Sequence, residues 1–280
     1  MMGISPRFHL LTVTVIGLLT VAGGTAVARS VSSVEDSAQP TLTTTSSTVI
    51  ETTTSSTTPS STTTSSTTTT TTVPLWPLTP VKPLPAVGLV PVLSKVDTKD
   101  PVVFLTIDDG AIRDHRVLEL VETYKIPVSL FLNEGPLRAD PDYFRRITAF
   151  GGSINSHTRT HPLLTRMSAG AQREQICGMK NVIAEYVFVP GHLMRAPFGE
   201  SNAATQTASS SCGINAVLFW HVALNGGKVQ YQQGNALQPG DIILAHFRTD
   251  LYDNILALSR QAALQGMRIA PIEAYLPLPN

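Results

Sequence analysis

The sequence shows no excess of charge of either sign and has only two cysteines. Its 20 basic side chains balance 20 acidic ones, which leaves a formal net charge of zero. No basic stripe is present, so nucleic acid is not indicated as a partner. No cysteine occurs near the N-terminal segment, which argues against a lipoprotein anchor there. No feature indicates a protein partner either, and we expect a monomer.

The first 28 residues have the pattern of a secretory signal peptide. Arg7 precedes an apolar run from Leu10 to Ala22, and small residues at Ala26 and Ala28 predict cleavage just after Ala28. The apolar run is short for a membrane-spanning helix of about 20 residues. Retention as an uncleaved membrane anchor is the alternative. The sequence therefore predicts a secreted, cell-wall or otherwise extracytoplasmic protein.

Residues 29–97 are predicted to form a disordered linker. From 41 to 72 nearly every residue is Thr or Ser, and such a tract has too little apolar surface to offset the entropy of ordering. A proline-rich stretch over 73–91 favours a stiffer, extended spacer. At about 3 Å per residue, the two segments would span on the order of 200 Å when extended. That length suits work at a distance from a membrane or within a cell wall.

Residues 98–280 have the length of one domain and alternate between strand-like and helical patterns. The strand-like runs cover 102–107, 128–132, 152–155, 193–195, 216–220, 241–245 and 267–270. The helical patterns cover 113–124, 141–150, 168–186, 203–210 and 254–265. This alternation favours parallel βαβ units, and the predicted fold is a small, distorted (β/α) barrel of about seven strands. In such barrels, reactive side chains gather at the carboxyl ends of the strands.

Asp108 and Asp109 stand side by side where the first predicted strand ends. A turn is the simplest interpretation, since Asp and Gly are common turn residues. The alternative is a site in which a metal neutralises one acid and the other acts as a base. His157 and His161 follow the third strand four residues apart, and on a helical turn that spacing places both imidazoles on one side. Two His and one carboxylate form the ligand set of a catalytic divalent-metal site.

Two further strand ends carry titratable residues. Arg195 lies in the sequence MRAPFG, where its planar guanidinium can pair with a carboxylate. His246 ends the apolar run IILAH. Each residue taken alone suits an ordinary surface or packing role, but their convergence at strand ends favours a site.

The motifs LTIDDG, SHTRTH, MRAPFG and IILAH, in this order and spacing, resemble those of the polysaccharide deacetylase family. This family is also called the NodB-homology family or carbohydrate esterase family four. The resemblance covers about 100–280 and implies a distorted (β/α) barrel with a divalent metal, most often Zn²⁺. By motif position it implies six functional residues: the metal ligands Asp109, His157 and His161, the catalytic base Asp108, its partner Arg195 and the general acid His246.

The resemblance also implies an enzymatic function. The expected enzyme is an exported, metal-dependent hydrolase that removes N-acetyl groups from peptidoglycan or chitin-like N-acetylglucosamine polymers and releases acetate. The backbone N–H of Phe198 would hold the oxyanion, and Trp220 would line the sugar site. Asn155 and Thr158 are candidates for supporting the metal ligands. The alternatives are an O-acetyl-glycan esterase and a degenerate, non-catalytic wall-glycan-binding module.

The sequence departs from the family near Trp220. Ala223 and Asn225 stand where the family often has acidic residues, one of which tunes the catalytic histidine. His246 therefore lacks its usual carboxylate partner, or it uses Asp241 or His221 in another geometry. The sequence leaves these alternatives open.

The two cysteines, Cys177 and Cys212, both fall in the predicted domain. Export would place them in an oxidising compartment, where disulfides persist. They lie on the predicted helices that follow the SHTRTH and MRAPFG motifs, which are neighbours in the inferred barrel. We therefore predict a disulfide between them, with two separate buried thiols as the alternative.

Overall fold

The structure, a computed structural model, describes Pro77 and residues 89–276. The predicted signal peptide and most of the predicted linker lie outside the described residues, so both remain predictions. Within the described part of the chain, no helix combines the length and the apolar character that crossing a membrane requires.

One sheet of ten strands forms the centre of the described fold. The strands are β1 (Val92–Leu93), β2 (Val102–Asp109), β3 (Ser129–Leu132), β4 (Ile154–Ser156), β5 (Leu193–Met194), β6 (Ala216–Leu218), β7 (Val222–Asn225), β8 (Lys228–Tyr231), β9 (Ile242–His246) and β10 (Arg268–Ile269). Their order is β1-β6-β5-β4-β3-β2-β9-β7-β8, and β10 pairs with β2. The strand pairs are parallel, apart from the hairpin of β7 and β8. The path ends at β1 and β8, so the described sheet is an incomplete barrel.

Helices follow most of the parallel strands. They are α1 (His115–Tyr124), α2 (Glu134–Ala139), α3 (Pro141–Ile147), α4 (Ala169–Tyr186), α5 (Ala203–Ser211) and α6 (Leu251–Leu264). Asp114, Asp140, Ser168 and Asn202 each precede a helix and accept a hydrogen bond from a backbone N–H of its first turn. Such caps satisfy N–H groups that have no partner inside the helix.

Strand β2 lies at the centre of the fold. Its residues 102–107 are all buried, as a parallel strand covered on both faces requires. It pairs with β3 on one side and β9 on the other, and this register sets Asp108 opposite Phe131 and His246. The last residues of β2 and β9 therefore meet at the same edge of the sheet.

The predicted fold class is confirmed, with corrections of detail. Each predicted strand and helix corresponds to an observed element, but the sheet has ten strands instead of about seven. The prediction missed β1, α2 and the β7–β8 hairpin. The folded region also begins before residue 98, because β1, inside the predicted linker, pairs with β6. A strand of two residues is too short to leave a periodic pattern in the sequence.

The predicted disulfide is confirmed. Cys177 on α4 is bonded to Cys212, the residue that ends α5, and their Cα atoms are 5.0 Å apart. The bond joins the helix that follows the SHTRTH segment to the helix that follows MRAPFG. The disulfide thereby links α4 to the end of α5, and the segments that precede these two helices reach the same edge of the sheet.

Candidate active site

The two carboxylates at the end of β2 are positioned differently by the backbone. Asp108 continues the strand and is 2% exposed, whereas Asp109 has a left-handed φ of 77° and is only partly buried. A left-handed conformation is uncommon for a residue with a side chain, although Asp adopts it more readily than most, and strained residues of this kind cluster at active sites. Gly110 follows with φ of 90°, where a Cβ atom would lie 2.8 Å from Pro136. The strand therefore ends in a tight turn that separates the two acids.

His157 and His161 lie in a loop, so the predicted helical turn is wrong. Thr158 and His161 have left-handed φ values of 67° and 58°, and the bent loop brings the two imidazole rings to 4.9 Å between centroids. The backbone N–H of His161 donates to Thr158 Oγ1 at 3.1 Å. The side chain of Asn133 donates to the carbonyls of His157 and Thr158 at 2.7 and 3.0 Å. The loop is therefore held by hydrogen bonds and not by helical geometry.

Asn133 is a supporting residue that the sequence analysis missed. It directly follows β3, and its position at a strand end was the available signal. Of the two residues predicted to support the metal ligands, Thr158 holds the histidine loop as described. Asn155 instead accepts from the N–H of Leu193 at 3.1 Å and donates to Ser153 at 2.7 Å, so it stabilises β4 and β5.

Asp109, His157 and His161 form a cluster with the geometry of a metal site. Oδ1 of Asp109 is 3.5 Å from Nε2 of both histidines. Two ligand atoms that share a Zn²⁺ ion at about 2.0–2.1 Å in tetrahedral geometry are separated by about 3.3 Å. Oδ1 of Asp109 is also buried and accepts no hydrogen bond from any described residue. These three side chains therefore fit a divalent cation.

The ring of His157 is oriented by a hydrogen bond. Its Nδ1 lies 2.8 Å from the carbonyl oxygen of Arg195, so Nδ1 carries the proton and donates to that carbonyl. In the neutral imidazole, which is the form that binds a metal, Nε2 then keeps its lone pair facing Asp109. This arrangement of backbone acceptor, imidazole and ligand atom is the usual way in which proteins fix a metal-binding histidine.

Arg195 is a buried cation whose charge is matched by Asp108. The residue is 0% exposed, and its Nη1 donates to Asp108 Oδ1 at 2.7 Å. Its Nε and Nη2 donate to the carbonyls of Leu218 and Phe219 at 3.1 and 3.2 Å, and the guanidinium lies over the ring of Phe131. Asp108 is thus held in one position. Its second oxygen, Oδ2, faces His157 at 3.7 Å.

The carboxylates dominate the electrostatics of the cluster. Burial raises the pKa of Asp109, but His157, His246 and His161 together outweigh that effect and the pKa lies below its ordinary value. Burial lowers the pKa of His157, but Asp108, Asp109 and the hydrogen bond to the Arg195 carbonyl together outweigh it and the net shift is upward. Both shifts show that this pocket favours positive charge beside its two acids.

His246 lies at the same edge but has no carboxylate partner among the described residues. Asp241 precedes the other end of β9 and pairs with Nδ1 of His221 at 3.0 Å, so neither residue serves His246. Burial is the main reason that the pKa of His246 lies below its ordinary value, although Asp108 and Asp109 act against it. The imidazole of His246 is therefore less readily protonated than that of a free histidine. The alternative in which Asp241 or His221 assists it is wrong.

The two acids and the histidines His157, His161 and His246 line one cavity of about 240 Å³, whereas the fully buried Arg195 contacts Asp108 without lining the cavity. Its lining comprises Asp108, Asp109, His157, His161, Ala196, Phe198, Gly199, Trp220, Leu244, His246 and Arg248. A second cavity of about 230 Å³ adjoins it and shares Phe198, Gly199 and Trp220. The predicted sugar-site residues Phe198 and Trp220 thus stand between two adjoining spaces. Arg248 and Leu244 are lining residues that the sequence analysis missed.

Comparisons with known proteins agree with this architecture. A family model described as polysaccharide deacetylase matches residues 95–217. An uncharacterized protein of Streptomyces coelicolor is 36% identical over 67% of this chain and 78% of the relative. A chitooligosaccharide deacetylase of Bradyrhizobium is 29% identical over 51% of this chain and 69% of the relative. The solved structure of a peptidoglycan N-acetylglucosamine deacetylase matches with a TM-score of 0.58 and 18% identity, over 67% of this chain and 93% of that one.

The structural likeness at 18% identity shows the fold alone, whereas the family model covers the segments that carry the first three motifs. Those segments and the end of β9 meet at one cavity in the geometry described above. The chain is therefore a member of the polysaccharide deacetylase family of hydrolases, carbohydrate esterase family four.

Proposed function

We propose that the protein is an exported, metal-dependent deacetylase that hydrolyses N-acetyl groups of a cell-wall glycan, either peptidoglycan or a chitin-like N-acetylglucosamine polymer. The observation that carries the proposal is the buried, unpartnered Oδ1 of Asp109 at 3.5 Å from Nε2 of both His157 and His161. A carboxylate in this position needs a cation, and zinc matches the two imidazoles and one carboxylate.

The three ligands and Asp108 have separate tasks in this proposal. A bound divalent ion would polarise the acetyl carbonyl and acidify water. Asp108, held by Arg195 at 2.7 Å, accepts the proton of the attacking water. The N–H of Phe198 donates to the developing oxyanion. His246 delivers a proton to the leaving amine, which departs as acetate is released.

Export and location are part of the same proposal. The apolar run before Ala28 and the Thr/Ser-rich tract of 41–72 support a secreted or wall-associated enzyme on a long tether. Retention of the first segment as a membrane anchor would give the same reach toward a wall polymer. Fractionation of producing cells with an antibody to the chain distinguishes released from membrane-bound protein.

Acetate release from N-acetylglucosamine oligomers and from peptidoglycan fragments tests the activity. The full chain should release acetate, lose the activity on chelation and regain it with added zinc. His161→Ala should lower both bound metal, measured by elemental analysis, and acetate release. His115→Ala is the matched control, because His115 is exposed and lies outside the cavity. Release that persists in the chelated enzyme or in His161→Ala would refute the metal mechanism.

A second candidate is a wall-glycan-binding module without turnover, which the isolated His246 favours. A histidine whose pKa is lowered by burial, and which has no carboxylate partner, is less readily protonated and so supplies a proton to the leaving amine less readily. This candidate predicts that the zinc-loaded chain retains glycan but releases no acetate. A third candidate, an O-acetyl esterase, predicts faster release from O-acetylated xylan than from N-acetylated glycan. Side-by-side acetate assays on the two substrates separate all three.

A further inference from the structure

Arg248 is an exposed cation on the wall of the catalytic cavity. It lines the same space as Asp108, Asp109 and His246. Its backbone is held in place, because its N–H donates to the carbonyl of His246 at 2.8 Å and its own carbonyl accepts from Leu251 at 3.1 Å. The side chain therefore projects from a fixed point of the loop between β9 and α6.

The guanidinium of Arg248 has no ion pair or side-chain hydrogen bond within residues 89–276. The acids near it are engaged elsewhere. Asp108 is matched by the buried Arg195 at 2.7 Å, and Asp109 faces the two histidines. Asp250, two residues along the chain, accepts from the N–H of Gly226 at 2.7 Å; the charge of Arg248 contributes to lowering the pKa of Asp250, but the two side chains form no ion pair. Among the described residues, Arg248 is thus a cation that lines the cavity and forms no ion pair with the acids that line it.

We propose that Arg248 is a specificity-determining residue that binds a carboxylate carried by the glycan at or next to the sugar being deacetylated. The proposal rests on the proposed function and names the substrate class, which is an acidic glycan. A guanidinium offers several N–H donors in one plane and matches a carboxylate better than it matches neutral hydroxyl groups. The cavity places the guanidinium of Arg248 beside the reacting groups. A neutral polymer would offer this guanidinium no charged partner.

Two kinds of sugar supply such a carboxylate, and the assay separates them. One is the lactyl ether of N-acetylmuramic acid in peptidoglycan, and the other is a uronic acid next to N-acetylglucosamine. The substrates are a muramic-acid-containing glycan, a glucuronic acid–N-acetylglucosamine oligomer and a neutral N-acetylglucosamine oligomer. A fourth is the better acidic substrate after methyl esterification of its carboxyl groups. Initial rates of acetate release give kcat/KM for each.

The variants are Arg248→Gln and Arg248→Lys, with Arg260→Gln as control. Arg260 is exposed on α6 and lies outside the cavity, so its variant removes an equal charge elsewhere. Arg248→Gln should lower kcat/KM about tenfold on an acidic substrate, mainly through KM, because a charged hydrogen bond is lost. The neutral and esterified substrates should change less than twofold. Arg248→Lys should restore part of the loss, and Arg260→Gln should match the unmodified protein.

Binding provides a measurement that does not depend on turnover. Calorimetry on the chelated full chain should show tighter binding of the deacetylated acidic oligomer than of the neutral one, and Arg248→Gln should remove the difference. Equal losses on acidic and neutral substrates, or a preference of the unmodified protein for the neutral polymer, would overturn the proposal. If the zinc-loaded protein releases no acetate, the proposed function fails, and the binding comparison still decides the role of Arg248.

Discussion

Replacing Arg195 by Met should cost a large share of the protein's stability, because it leaves Asp108 buried without a partner. Asp108 is 2% exposed and its Oδ1 accepts from Arg195 at 2.7 Å. Breaking a buried ion pair by removal of one member costs about 3–5 kcal/mol. The variant also deprives the carbonyls of Leu218 and Phe219 of their donors. We therefore expect a loss near the upper end of that range.

Urea denaturation of the full chain with the disulfide intact measures this loss. With an m-value of about 2 kcal/mol/M, a loss of about 4 kcal/mol lowers the midpoint by about 2 M. Arg116→Met is the control, since Arg116 pairs with Asp114 on the surface and such pairs contribute little. Its midpoint should stay close to that of the unmodified protein.

A double-mutant cycle isolates the pair itself. Asp108→Asn alone leaves a buried guanidinium without its acid, and it should also be strongly destabilising. The variant with both changes, Asp108→Asn and Arg195→Met, should be more stable than the sum of the two losses predicts, because neither charge remains. Strict additivity, or a loss below about 1 kcal/mol for Arg195→Met, would refute the reasoning.

Three further predictions concern the rest of the fold. Replacing Cys177 and Cys212 by Ser should lower the free energy of unfolding by about 4 kcal/mol in urea titrations, since the disulfide closes a loop over 35 residues; an unchanged midpoint would contradict this. Burial raises the pKa of Tyr143, so the folded state holds that proton more tightly than the unfolded chain does. Stability should therefore fall as the pH rises above about 10, and Tyr143→Phe should flatten that decline. Gly240→Ala should lower the melting temperature, because φ is 88° and the new Cβ would lie 2.0 Å from the Val96 carbonyl oxygen; an unchanged melting temperature would argue against the close approach.

The sequence alone was enough to predict the fold class and the two acids and three histidines that meet at the cavity, but not Leu244 or Arg248. A continuous apolar run that ends in Asp108 and Asp109 predicts a buried parallel strand with its chemistry at the carboxyl end, and β2 has that form. The order and spacing of the motifs LTIDDG, SHTRTH, MRAPFG and IILAH then carried the resemblance to the family. These features depend on local pattern, which a sequence displays directly.

The contacts between distant segments required the tertiary structure. The histidine loop is bent by left-handed residues at Thr158 and His161, and a four-residue spacing carries no sign of this. His246 receives no hydrogen bond partner from Asp241, because Asp241 lies at the opposite end of β9 and pairs there with His221. Within residues 89–276, the lack of an ion pair for Arg248 depends on where the tertiary structure places all the acids around it. Local pattern determines which residues reach the edge of the sheet. Which of these side chains pair with one another depends on distances between elements that are remote in sequence. Only the packing of the tertiary structure sets those distances.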